Sequence, residues 1–168
     1  MASSFKQILR LVKTGSITVR INSFGGNTHA MNQMITFLYF MRKYKRFKIV
    51  IEIERAESAA LMLALSFPER HITSKSISSI HLPVPAKKKH ISPTLLDHKR
   101  MQAVSFYSRR TKISEDQVSL LDGTLLDAQQ MIEMGIATKL ADQFHPLPLD
   151  KKRAVFFLPA FVMIQITG

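Results

Sequence analysis

At 168 residues, 46% of them apolar, the chain has room for one compact domain with a real core. It holds no cysteine, which excludes disulfide scaffolds, thiolate metal sites and cysteine nucleophiles. Its formal charge is +12, a field that would draw nucleic acid or an acidic partner. The basic clusters at Arg42–Arg46, Lys87–Lys89 and Lys151–Arg153 are far apart, however, and none carries a series of aromatics for base stacking. They read as solvated loops, so a nucleic-acid partner is not expected.

Phe5, Ile8, Leu9 and Val12 share one face of a helix, which Gly15 ends. Ile17 to Ile21 alternates as a strand and runs into Gly25-Gly26. Thr28 to Tyr44 is a long helix with a stripe of Met31, Met34, Ile35 and Leu38. Lys48 to Ile53 is a β-branched strand, and Ser58 to Phe67 a buried helix stopped by Pro68. Ile72 and Ile77–Ile80 are expected as two short strands, with Pro83 to Pro93 as a loop. Helices follow at Pro93–Arg110, after Ser114 as N-cap, and at Asp127–Met134, which Gly135 ends. This order of strands and helices predicts an α/β fold, a mostly parallel sheet covered by helices, in a single domain over 1–150.

Residues 151–168 form a basic then apolar tail. Its apolar part is 15 residues long and contains Pro159, short of the ~20 residues a membrane span needs. A strand docked on a neighbour, or a sticky tail, is expected there. No long apolar stretch opens the N-terminus; together with the absence of cysteine this suits a cytoplasmic location.

Two segments carry chemistry. A Gly-Gly turn after a strand can present backbone N–H groups to an anion. A serine before an apolar helix, with a histidine ending a later strand, supplies a nucleophile and a base. Ser58 and His81 are the candidates. Ser58 also suits an N-cap. Of the six histidines only His81 follows a short strand and precedes a Leu-Pro turn. Asp122, in Leu121-Asp122-Gly123-Thr124, could orient the imidazole or simply occupy a turn. No zinc-type spacing and no P-loop occur, so no cofactor is expected.

Asn22-Ser23-Phe24-Gly25-Gly26, Glu54-Arg55-Ala56-Glu57-Ser58 and Ser79-Ile80-His81-Leu82-Pro83 resemble, in order and spacing, three motifs of the Clp protease proteolytic subunit family. These read N-S-P-G-G, G-x-A-A-S and M-I-H-x-P. The segment Tyr107 to Glu115 resembles that family's handle segment, and Leu125 to Asp142 its closing segment. The likeness covers roughly residues 5–142, and the 23-residue separation of Ser58 and His81 fits the shorter, phage-like members.

The resemblance implies a ClpP/crotonase-like ββα superhelix with a helical handle at about 93–121. It implies a serine endopeptidase acting on unfolded proteins or peptides, with Ser58, His81 and Asp122 as its triad and the N–H groups of Gly26 and Ala59 as its oxyanion hole. It also implies a homo-oligomeric ring and an AAA+ ATPase partner. Only 16 residues precede Ile17, where the family carries an early strand and axial loops, so the ring follows more directly than the ATPase. Phe24 stands where the family has proline, and Glu54 and Glu57 where it has glycine and alanine. A carboxylate beside the nucleophile opposes a developing oxyanion; either these glutamates point away or the site is impaired. The alternatives are an inactive oligomeric scaffold, a basic nucleic-acid-binding protein, and an acyl-CoA enzyme of the crotonase type.

Overall fold

The computed structural model describes residues 15–84 and 92–144 in full and the backbone of 155–158 and 162–167. The expected helix at Phe5–Val12, most of the loop before Pro93, and two of the three basic clusters lie outside the described residues.

Three parallel strands carry the fold: β1 (Ser16–Ser23), β2 (Lys48–Glu57) and β3 (Arg70–Ser79). Ile17, Val19 and Ile21 of β1 alternate with polar residues, Ile49, Ile51 and Ile53 take the alternate positions of β2, and all six are buried. They share one apolar core with Leu38 and Met41 of α1 (Thr28–Lys45). Asn27 caps α1 by accepting from the His29 and Ala30 N–H groups, and Arg46 ends it in the left-handed region at φ 56°. The short α2 (Ala59–Leu65) is buried on nearly every side.

The other sheet face is charged. Arg20 Nη2 lies 2.7 Å from Glu52 Oε2, and Asn22 donates to Glu54 at 3.0 Å. Parallel sheets are usually apolar on both faces; here the second face is made compatible by pairing.

β2 extends four residues past its expected end, and β3 is one strand rather than two. Both differences have one cause. Ile53 pairs with Ile72 and Arg55 with Ile77, so Thr73–Ser76 bulge out opposite a single residue. Ser76 Oγ closes the gap, donating to the Ile53 carbonyl at 2.5 Å and accepting from the Thr73 N–H at 2.9 Å. The polar Thr-Ser-Lys-Ser stretch therefore interrupts the apolar pattern without ending the strand.

Residues 93–121 hold α3 (Pro93–Ser108) and α4 (Glu115–Leu120); Ser114 caps α4 as expected. Then come β4 (Leu125–Leu126), α5 (Ala128–Glu133) and β5 (Lys139–Leu140). β4 and β5 both pair with β3. The tail forms β6 (Val155–Leu158) and β7 (Val162–Thr167), an antiparallel hairpin, and β7 pairs antiparallel with β1. It docks on the open edge of its own sheet, which offered unpaired N–H and C=O groups. The seven-stranded sheet runs β4-β3-β2-β1-β7-β6, with β5 beside β3. Among the described residues no helix is long and apolar enough to cross a membrane.

Candidate active site

The C-terminal ends of β1, β2 and β3 converge on one place, because parallel pairing puts all three ends at the same edge. β2 delivers Ser58, β1 delivers the Gly25-Gly26 turn, and β3 delivers His81.

Ser58 sits on the turn from β2 into α2 with φ 50° and ψ −121°, a conformation that costs a non-glycine residue about 1–3 kcal/mol. The backbone around it enforces this. Its N–H donates to the Ser79 carbonyl at 3.2 Å, and its carbonyl accepts from the Met62 N–H at 3.1 Å and the Tyr107 hydroxyl at 3.4 Å. Its side chain accepts no helix N–H. The N-cap reading is thereby corrected: Ser58 holds the cap position, but its Oγ is not spent on capping.

The glycine turn packs directly on this elbow. A Cβ built on Gly25 would lie 2.6 Å from the Glu57 carbonyl oxygen, 3.0 Å from Ser58 Cβ and 3.1 Å from the Ala59 nitrogen. Only glycine lets the two backbones approach this closely. Gly25 is further held by its N–H bond to Ser23 Oγ at 3.1 Å. Ala59 opens α2, and an N–H in that first turn has no acceptor within a helix. The structure therefore places Gly25 of this turn against the backbone of Ala59.

His81 follows β3 and is exposed. Its flanks are anchored: the Ile80 carbonyl accepts from the Gly123 N–H at 2.8 Å, the Leu82 N–H donates to Asp122 Oδ1 at 2.9 Å, and Arg100 Nε donates to the Pro83 carbonyl at 3.0 Å. Asp122 is thus next to His81 along the backbone, but its carboxylate accepts from Leu82. No hydrogen bond or ion pair joins it to the imidazole, and none joins the imidazole to Ser58 Oγ. Backbone contacts bring the segments of the three residues side by side, Ser58 to Ser79, Ile80 to Gly123 and Leu82 to Asp122, without a side-chain relay among them.

Tyr107 of α3 is fully buried, and its hydroxyl touches both halves of the site. It donates to the Ser58 carbonyl and meets the His81 backbone. Burial pushes its phenol well above the ordinary tyrosine value, the negative charge of Asp122 adds to this, and the His81 hydrogen bond works the other way. The sequence placed Tyr107 in the handle motif but gave no hint of this contact.

Both glutamates have partners. Glu57 is buried, and Arg55 Nε donates to its Oε1 at 2.6 Å. Arg55 in turn lies under the Phe24 ring, 4.1 Å from its centroid. Glu54 turns to Asn22 and Arg20 on the charged sheet face. Arg55 and Glu57 sit at i and i+2 on a strand, hence on one face, a signal readable from sequence. Beside Asp122 a cleft of about 720 Å³ opens between α3 and α4, lined in part by Leu82, Asp97, Met101 and Asp116. Among the described residues no cluster of His, Asp and Glu could hold a metal ion.

Comparison with known proteins bears on the architecture. No family model and no curated protein matches the sequence. Among solved structures, a ClpP1 point mutant from Listeria monocytogenes matches with TM-score 0.67 at 18% identity, over 84% of this chain and 82% of its own. The chain has a ClpP-like fold. A second match, described only as an enzyme, has TM-score 0.63 at 14% identity and covers 84% of this chain and 87% of that one. The ClpP-like fold and the expected α/β architecture agree.

Proposed function

We propose that this protein is a ClpP-like serine endopeptidase that hydrolyses peptide bonds of unfolded chains or peptides. The observation that carries the reading is the Ser58 elbow. A serine held at positive φ, with its hydroxyl free of capping and the Gly25-Gly26 turn packed on its backbone, is costly for a purely structural role. It is the arrangement a nucleophile beside an oxyanion hole needs.

In this reading Ser58 Oγ attacks the scissile carbonyl and His81 takes its proton. The negative oxygen of the tetrahedral intermediate sits between the N–H groups of Gly26 and Ala59. Collapse expels the amine, which receives the proton from His81, and leaves an acyl-enzyme. Water, activated by His81, then releases the second product and restores Ser58. Asp122 orients the imidazole once its carboxylate leaves the Leu82 N–H, a shift we assign to assembly of the chain into a homo-oligomeric ring. The pairing of Glu57 with Arg55 supports a working site, because it offsets the charge beside the nucleophile. The cleft beside Asp122 is the natural place for a substrate side chain. A cytoplasmic location and an AAA+ ATPase as unfolding partner belong to the same proposal.

The test is intact-protein mass after exposure to a fluorophosphonate, comparing wild type with Ser58→Ala. A single adduct that the substitution removes is expected. No adduct on folded, assembled protein would sink the peptidase reading and leave an inactive scaffold of the same fold.

A further inference from the structure

We infer that Arg55 is a positioning residue that clamps the two halves of the candidate oxyanion hole together; the inference rests on the peptidase reading for its catalytic consequence only. The hole needs one N–H from Gly26 and one from Ala59, and these belong to different strands' ends. Phe24 leads directly into the first half, and Glu57 into the second. Arg55 touches both. Its guanidinium carbon lies 4.1 Å from the Phe24 ring centroid, and its Nε donates to Glu57 Oε1 at 2.6 Å.

The stack is ordered by exposure. The Phe24 ring is 66% exposed, while the side chains of Arg55 and Glu57 are 29% and 9% exposed. An aromatic ring thus covers a guanidinium, which covers a carboxylate. A charge-assisted bond screened from water is stronger and more directional than an exposed one, and a guanidinium face lies well on a ring.

The backbone shows why such a clamp is needed. Gly25 and Gly26 have φ of 91° and 127°, angles at which glycine is free to move. The turn carries no proline to stiffen it, since Phe24 precedes it. The Ser23 side chain holds Gly25 from one side; Arg55 holds the residue before it against the strand that leads into Ser58. A loose turn would let the Gly26 N–H drift from the oxyanion, and a displacement of about 1 Å from productive geometry costs on the order of 10²-fold in rate.

The same contact makes Glu57 tolerable. Without Arg55 its buried carboxylate would stand one residue from the nucleophile with no cation on it, opposing the oxyanion and freeing the turn at once. Phe24, Arg55 and Glu57 therefore act as one unit.

The experiment compares wild type with Arg55→Met, Arg55→Lys, Phe24→Leu and the double variant Arg55→Met/Phe24→Leu. Two readouts are taken: amide exchange of residues 24–27, and the rate of fluorophosphonate labelling of Ser58. Arg55→Met is expected to speed exchange in the turn and to slow labelling about tenfold or more, with Arg55→Lys partly retaining both. Adding Phe24→Leu to Arg55→Met should change little, because Phe24 acts through Arg55. Unchanged exchange in Arg55→Met, or effects of the two substitutions that simply multiply, would overturn the clamp. Faster exchange in a protein whose wild type never labels would uphold the clamp and count against the peptidase reading instead.

Discussion

Replacing Gly25 by alanine should damage the candidate site far more than the same change at Gly26. An alanine Cβ at position 25 would meet the Glu57 carbonyl oxygen at 2.6 Å, a backbone atom that cannot rotate away. Restoring ordinary contact requires the turn and the elbow to part by roughly 0.5–1 Å. Alanine at φ 91° adds about 1–2 kcal/mol, and overpacking adds about 1–3 kcal/mol. A chain of this size loses about 2–4 °C in Tm per kcal/mol, so Tm should fall by roughly 5–15 °C. Labelling of Ser58 by a fluorophosphonate should slow about 100-fold, the effect of losing one oxyanion donor. At Gly26 the space around a new Cβ is open; only the φ term of about 1–2 kcal/mol applies, the N–H is retained, and labelling should slow by less than about tenfold. Rates and melting temperatures of both variants, measured side by side, decide the matter. Equal effects at the two positions, or Gly25→Ala labelling at the wild-type rate, would refute the reasoning.

Three further outcomes follow from the same geometry. Ser58→Gly should melt higher than Ser58→Ala, by about 1 kcal/mol or more, because glycine relieves the strain at φ 50° that alanine keeps; equal denaturation midpoints would count against strain at the elbow. Arg70, buried with its charge disfavoured by desolvation, donates to the carbonyls of Ile136, Phe67 and Gly135 at 2.6, 2.6 and 2.9 Å. Arg70→Met strands these acceptors and should cost about 3 kcal/mol, read as a lower urea midpoint, with a loss under about 1 kcal/mol contradicting the brace. For Tyr107 the sign is set by its raised folded-state pKa. Folding favours the protonated phenol, so this contribution is intact below the ordinary pKa of about 10 and is lost as pH rises above it, by about 1.4 kcal/mol per pH unit. The stability difference between wild type and Tyr107→Phe should be flat below pH ~10 and fall above it; a flat difference throughout would remove the buried-phenol explanation.

Much of this architecture is legible in the residues, for reasons that differ from place to place. The strict alternation of Ile17, Val19 and Ile21, and the capping pair of Ser114 and Gln117, are local signals, and the elements they mark lie where expected. Thr73–Ser76 breaks the apolar period and so splits β3 in the sequence pattern; what rejoins it is Ser76 bonding to β2, a contact made 23 residues away in sequence. The pattern of the tail alone suits a strand docked on a neighbour or a sticky tail, because its partner, β1, is more than a hundred residues away and leaves no local signal. Around the site, residue types single out Ser58 and His81 as candidates and the Gly25-Gly26 turn as an anion cradle, whereas the choice of Gly26 with Ala59 comes from the family resemblance. Asp122 near His81 was expected, but its bond to the Leu82 N–H is a matter of side-chain rotation, which no spacing encodes. Tyr107 and Arg70 act through backbone carbonyls of distant segments, and such acceptors have no signature in sequence.

The pairing of β7 with β1 has a consequence for how the chain matures. β2 and β3 follow β1 in the chain and can join it soon after they are made. Its other edge waits for residues 162–167, so the growing chain carries an open strand edge from the synthesis of β1 until that of β7. Closing a sheet across so long a separation is slow, and an unpaired edge invites pairing with other nascent chains. The β6–β7 hairpin is thus a seal applied long after β1 is made, and the interval before it forms is when that edge is most in need of a chaperone.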